Sequence, residues 1–387
     1  MAVYEIILSN CGSAEGQVMD LGNMRMGRHM RTLTAACLLA LLPMSVTALV
    51  NLEWRPGISA VCAGEQVTVG LYAVSDSQAA HTVSAMDVVM LWDAGRLSAP
   101  VLGAKQPYWL SDGFFQASPG GINTSLEDGD AMYTAWANFG APVEVTNQGL
   151  LCVQMTFTAQ PPAGLTLVQI VPSFGQYSQT RVFDGSSPNT DIKGALGAAQ
   201  ILVFPSEAST SAAEARQMDD DSLVKLAGPV VTRRFDSIGC FYVEDADRAA
   251  GIRVDCAPES IPNEGDAPVI LGTIRTVDGE RIIEAASVTA GGQAAIVAPL
   301  GMTPGRVGIG LSPQGLLVRA WGQVLSDGDE GIVLNDGSGQ ELRVELHGVE
   351  APRIGNYVGI TGAMGADAAG PVLRVNNSAD IVTYAAP

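Results

Sequence analysis

The sequence predicts an all-β protein, and three observations carry that prediction. In "EQVTVGLYAVS" (65–75) the residues Val67, Val69, Leu71 and Ala73 take alternate positions, the period of a strand with one buried face. Turn formers separate such runs, with 44 glycines and 21 prolines in 387 residues, and no stretch beyond about ten residues keeps a helical period. The C-terminal half also repeats itself at a spacing near 90 residues, too long for a solenoid unit and consistent with duplicated small domains. A chain of this length can bury two or three separate cores.

The first element is a leader. In "MRMGRHMRTLTAACLLALLPMSVTALV" three arginines, Arg25, Arg28 and Arg31, precede an apolar run from Leu33 to Val46. Small residues then close the pattern at Ala48, as signal peptidase requires. The run is too short for a membrane span, and Cys37 sits at its front, where a lipoprotein cysteine does not belong. Residues 1–23 precede the pattern, so translation is expected to start at Met24, Met26 or Met30. Residues 1–48 are thus read as leader, and the mature chain as secreted or cell-surface, with the periplasm as the alternative. No later stretch reads as a transmembrane anchor.

Residues 49–204 form the next body, a series of strands divided by Gly, Pro and Asn. "GLLCVQMTFTAQ" (149–160) puts Leu151, Val153, Met155 and Phe157 on one side, and "LTLVQIVPSF" and "AQILVF" follow. Many short strands at this spacing predict an antiparallel two-sheet sandwich. "WDAGRL" reads as a turn and "PYWLSDGFF", which lacks alternation, as a loop. Export would leave Cys62, Cys152, Cys240 and Cys256 in an oxidising compartment, where three pairings are open. Cys240 and Cys256 are symmetric about Arg248 in "GCFYVEDADRAAGIRVDC" (239–256). Antiparallel pairing would set them opposite each other at a disulfide-compatible distance, which leaves Cys62 with Cys152.

A small polar segment, 205–215, is read as a linker with a short helix through "SAAEARQMD". The repeat then occupies 216–290 and 313–384, joined by a second linker at 291–312. "LVKLAGPVVTRRFDSIGCFYVEDADRAAGIRV" from Leu223 parallels "LVRAWGQVLSDGDEGIVLNDGSGQELRV" from Leu317. Gly228 matches Gly322, Asp245 matches Asp336, Arg253 and Val254 match Arg343 and Val344, Gly265 matches Gly355, and Gly272 matches Gly362. Each copy reads as five short strands.

In that order the copies resemble the OB-fold, a small Greek-key barrel, and "FYVEDADRAAGIRV" and "IVLNDGSGQELRV" carry the resemblance. The stretch "NLEWRPGISAVCAGEQVTVGLYAVS", with "AMDVVMLWDAGRL" and "GLLCVQMTFTAQPPAG", is similar to cohesin-type sandwiches and their carbohydrate-binding relatives, with the jelly-roll architecture of that group. The resemblance implies recognition of a protein or polysaccharide. It brings no individual dockerin-binding residue, and no dockerin calcium loop occurs in the chain.

The chemistry is sparse. Lys and Arg number 21 against 40 Asp and Glu, a formal charge of −19. Both halves are acidic, with 5 basic and 12 acidic residues over 49–204 and 13 and 24 over 213–387. Polyanion binding draws its affinity from cationic side chains, so nucleic acid is not the expected partner. No GxSxG, Walker or dinucleotide motif occurs, and two isolated histidines, His81 and His347, remain after the leader. No cofactor is expected. "EDGD" (127–130), "EDAD" (244–247) and "SDGDEG" (326–331) offer the oxygen ligands calcium prefers, without EF-hand spacing.

Aromatic residues cluster in the sandwich: Tyr108, Trp109, Phe114, Phe115, Tyr133 and Trp136. They can fill the core or stand on the surface as ligand contacts, and they are the candidate ligand-binding residues. The expected function is non-catalytic binding or scaffolding outside the cell, the sandwich recognising a polysaccharide, a cell-surface protein or a secreted protein. The alternatives are an accessory component of a secreted carbohydrate-degrading system with weak activity, and single-stranded nucleic-acid binding by the barrels through Phe241 and Tyr242.

Overall fold

Strand alternation places the first core. In the computed structural model, which describes residues 49–115, 122, 125–206, 210–294, 297–307, 312–328 and 331–384, Val67, Val69, Leu71 and Ala73 are fully buried. The leader read over 1–48 lies outside the described residues. The Gln66–Ser75 strand belongs to a five-stranded sheet ordered Lys193–Leu196, Val50–Pro56, Gln66–Ser75, Leu150–Thr158, Val101–Leu102. The facing sheet runs Ala60–Cys62, Ala198–Phe204, Gly164–Ile170, Ala85–Trp92, Asp130–Ala137, Trp109–Phe114. Its inward residues Met86, Val88, Met90, Val168 and Ile201 complete the core. This is the two-sheet packing expected of alternating strands.

The sandwich is not wholly antiparallel. Its opening segment divides, Val50–Pro56 joining one sheet and Ala60–Cys62 the other. The closing segment divides in step at Gly197, so first and last strands run parallel in both sheets. A side chain at Gly197 would meet the Leu52 carbonyl at 3.1 Å. Leu151 also departs from expectation, because a bulge between Leu151 and Val153 turns Cys152 into the core in its place. A single extra residue reverses which side chain faces inward.

Beyond the sandwich, a capping box of Ser211 and Glu214 starts the Ala212–Ala215 helix. A closed barrel follows. Its first strand is broken at Gly228 (φ +78°) into Leu223–Ala227 and Val230–Phe235. One half pairs with Asp266–Val277 and the other with Cys240–Glu244. Gly251–Asp255 then pairs with Glu280–Gln293 in parallel, closing the circuit. The second repeat has the same order. Leu317–Gly328 pairs with Tyr357–Asp367 and with Gly331–Asn335, and Glu341–Leu346 lies parallel to Gly370–Val375. Gly322 stands where that first strand changes partner, and a Cβ there would strike the Asn335 backbone at 2.8 Å. Gly265 and Gly355 share the left-handed backbone, at φ +89° and +87°. Gly265 and Gly355 therefore mark the same turn in both copies, while Gly228 breaks the first strand and Gly322 lies within an unbroken one.

Neither expected disulfide is present, and all four cysteines are free. Cys240 pairs with Asp255, one residue short of Cys256. Successive strand residues face opposite sides, so that offset of one aims the two thiols apart. Cys62 lies in the edge strand Ala60–Cys62 and packs with Phe204 and Leu271, whereas Cys152 is in the sandwich core. Burial raises the Cys152 and Cys240 thiols to about 12, and burial followed by Asp255 raises Cys256 to about 11.

Two junctions hold the bodies together. Ala60, Cys62 and Phe204 of the sandwich pack on Leu271 of the first barrel. The two barrels meet over Phe235, Cys240, Tyr242 and Ala363. At the centre of that second junction Tyr242 donates to Glu280 at 2.8 Å. Arg374 of the second barrel donates to Glu280, to Tyr242, and to Glu345 at 2.8 Å. Beside it, the fully buried Glu244 carboxylate accepts the Leu317 amide at 2.6 Å and Arg248 at 3.1 Å. Burial, with Glu280 alongside, raises Tyr242 far above its ordinary pKa, so it remains a donor.

Two outcomes are expected. Intact mass of the purified chain under non-reducing conditions corresponds to free thiols at Cys62, Cys152, Cys240 and Cys256, with Cys256 alkylated first because it is the least buried of the four. Arg374→Ala takes the second barrel's cation from the buried Glu280, leaving it Tyr242, and Arg253 at 3.4 Å, and is expected to cost about 3 kcal/mol, read as a fall in denaturation midpoint, while Arg275→Ala at an exposed pair leaves the midpoint unchanged.

Candidate functional site

The stretch around Tyr108 is a strand, not a loop: Trp109–Phe114 pairs with Asp130–Ala137 through a bulge between Trp109 and Ser111. That bulge sorts the aromatic residues. Trp109 and Tyr133 point into the core and are buried, and Tyr108 and Phe114 pack against it half-buried. Phe115 and Trp136 stay outside, 42% and 43% exposed.

The inward group has a structural task. The Cys152 bulge breaks the hydrogen-bond ladder, and the carbonyls around it need donors. The Tyr108 hydroxyl donates to Leu151 O, and Trp109 Nε1 donates to Cys152 O at 2.9 Å. Tyr133 donates to Asp112 at 2.9 Å and lies 3.4 Å from Cys152 O. Burial, with Asp112 next to it, raises the Tyr133 hydroxyl and keeps its proton in place.

The outward group shares one sheet face. Trp136 is paired with Ser111 across the strands, and the bulge residue Leu110 is exposed beside it. Phe139, on the turn after the Asp130–Ala137 strand, is fully exposed. Leu110 and Phe139 were not legible as site residues, since which residues of "PYWLSDGFF" face outward depends on the bulge after Trp109, and Phe139 follows the end of its strand. The middle of the face is covered, because Ile122, Val171 and Phe174 pack over Val89 and Met132. Past that cover a cavity of about 500 Å³ opens, lined by Asp93, Asp128, Asp130, Leu165, Leu167 and Phe174 among others.

The Asp-rich loops behave differently from one another. Asp130 Oδ1 is buried without a partner, and burial followed by Asp128 raises its carboxyl. Asp245 accepts the Ala212 and Ala213 amides at 2.7 and 3.1 Å, and Glu244 is tied into the barrel junction. Residues 329 and 330 of the third loop lie outside the described residues. Among the described residues no three His, Cys, Asp or Glu side chains are placed to hold a metal ion. In the first barrel Phe241 and Tyr242, weighed as base-stacking rings, are fully buried.

No family model and no curated protein matches the chain. The solved structures it resembles are cohesin modules. One is a type II cohesin domain from the cellulosome of Acetivibrio cellulolyticus, at 16% identity and TM-score 0.28, covering 40% of this chain and 95% of that one. Another is a type I cohesin–dockerin complex from Clostridium thermocellum, at 12% identity and TM-score 0.28, covering 40% and 99%. A third is the cohesin module of a Clostridium perfringens family 33 glycoside hydrolase, at 11% and 0.27, covering 40% and 97%. Likeness at this level says nothing of a ligand. Among the described residues no helix is long and apolar enough to cross a membrane.

The division of the rings has a measurable consequence. Trp109→Ala removes core volume and a carbonyl donor together and is expected to cost about 3–5 kcal/mol, whereas Trp136→Ala leaves the thermal midpoint where it was.

Proposed function

We propose that this chain is an exported, non-catalytic binding and scaffolding protein whose sandwich recognises a protein partner. The observation that carries the reading is the outward placement of Trp136, Leu110 and Phe139 at one end of a sheet whose centre is already covered. An exposed apolar patch on an otherwise acidic surface costs solubility unless something binds it. Trp in such a patch is the residue type that dominates protein interfaces. Leu110 and Phe139 offer apolar shape and no hydrogen-bonding group, which favours a protein surface over a polysaccharide for this patch. The buried junctions suit a scaffold, since they hold sandwich and barrels in fixed contact. Export rests on the leader pattern of residues 24–48.

The test uses the full chain, immobilised as wild type, Trp136→Ala and Leu110→Ser, and challenged with extracellular proteins of the source cells. A protein retained by the wild type, then purified and titrated by calorimetry, is expected to bind at least about tenfold more weakly to Trp136→Ala, a difference of about 1.4 kcal/mol. Retention indifferent to both substitutions, or no retained protein at all, removes the reading.

A further inference from the structure

The two barrels share a strand order but not a surface. In the first barrel, Leu223 and Leu271 on strands one and four pack against Ala60, Cys62 and Phe204 of the sandwich. The corresponding face of the second barrel is open. There Trp321 pairs with Gly359 where the first barrel pairs Ala227 with Val269, and Arg319 stands in the place of Lys225. By the repeat spacing Tyr357 stands where the first barrel has Ala267. One face thus seats the sandwich through Leu223 and Leu271, whose counterparts in the second barrel are Leu317 and Thr361, and beside those positions the second barrel carries rings, Trp321 and Tyr357, where the first has Ala227 and Ala267.

The rings form a groove. Tyr357 is directly opposite Tyr384, on a final strand, Ile381–Tyr384, that extends the sheet beyond the five of the barrel. Trp321, Tyr357 and Tyr384 are 46%, 45% and 49% exposed. Gly359 is the floor between them: a Cβ there would contact the Tyr384 ring at 3.4 Å and stand 3.7 Å from Arg319 Nε. Arg319 reaches to 3.5 Å from the Tyr384 hydroxyl. Asp336, fixed by the Ser338 amide at 2.9 Å, also lines the groove, whose volume is about 530 Å³. That volume lies in the range of small-ligand sites.

We propose that this groove binds a saccharide chain, with Trp321, Tyr357 and Tyr384 as stacking platforms and Arg319 and Asp336 as hydrogen-bonding groups. A pyranose presents an apolar C–H face to a ring and hydroxyls around its edge. The groove offers both halves of that match, flat rings from a rigid sheet flanked by a donor-only guanidinium and an acceptor-only carboxylate. A polyanionic strand is disfavoured, because the groove holds one cation in a chain of formal charge −19, and phosphate binding scales with cation number. The groove lies on strands one and four with the final strand, and Asp336 reaches it from the hairpin between strands two and three.

The experiment uses the full chain and four soluble probes, cellohexaose, xylohexaose, mannohexaose and chitohexaose. Tryptophan fluorescence and calorimetry are read at up to millimolar sugar, with thermal melts to confirm folding. At least one probe is expected to bind the wild type, to bind Trp321→Ala and Tyr384→Ala at least about tenfold more weakly, and to bind Trp136→Ala as before. The proposal is overturned if none of the four binds, or if binding survives both groove substitutions. It is equally overturned if binding follows Trp136 instead. Light scattering showing a dimer that Trp321→Ala dissociates, or oligothymidine binding lost in the same variant, would assign the groove to another occupant. Because the sandwich patch is read separately through Trp136, failure here leaves the protein-binding reading standing, and the reverse.

Discussion

Two buried glutamates hold the C-terminal half in one arrangement. Glu280 sits under the second barrel with Tyr242 and Arg374 on it, and Glu244 accepts the first amide of the second barrel's leading strand. A carboxylate out of water is costly unless fully hydrogen-bonded. Here the partners come from both barrels, so neither barrel alone can satisfy the set. The relative placement of the repeats is thereby specified by polar geometry more sharply than apolar packing would specify it. The open and covered faces follow from it, because a rotation of one barrel would uncover these acids.

The two copies share a strand order and the turn at Gly265 and Gly355, and they differ in their surfaces. Gly228 and Gly322 mark where the first strand exchanges partners, and Gly265 and Gly355 take the same left-handed turn. Gly322 is constrained by backbone approach, and Gly228, Gly265 and Gly355 by their positive φ. The outward positions between them carry no such constraint, and they differ: Ala227 against Trp321, Val269 against Gly359. One copy became a seat for the sandwich, and the other stayed in contact with solvent.

Much of the fold was legible where a two-residue period had a single meaning. Val67, Val69, Leu71 and Ala73 were read as one buried face and are one, and of the matched glycines Gly228, Gly265 and Gly355 stand at turns with positive φ while Gly272, Gly322 and Gly362 lie within strands. The failures share a cause, which is register. The Cys152 bulge exchanged Leu151 for its neighbour. The Trp109 bulge hid a strand inside a run without alternation. An offset of one residue separated Cys240 from Cys256, because hairpin symmetry in sequence does not state where the ladder begins. The candidate site was half legible. Composition located the aromatic cluster, but sorting Trp109 from Trp136 needed the bulge, and the groove around Trp321 needed strands far apart in sequence to be brought together.

The crossing of the sandwich's two end segments at Gly197 also governs how the chain can be synthesised. Val50–Pro56 finds one neighbour early, in Gln66–Ser75, and the other only in Lys193–Leu196, while Ala60–Cys62 pairs with Ala198–Phe204, so neither sheet is complete until translation has passed Phe204. Closure therefore waits on contacts at the greatest sequence separation the body contains, the kind that forms slowest. During that wait one edge of Val50–Pro56 and the strand Ala60–Cys62 lack their partners, and an unpaired strand edge is a template for pairing with another chain.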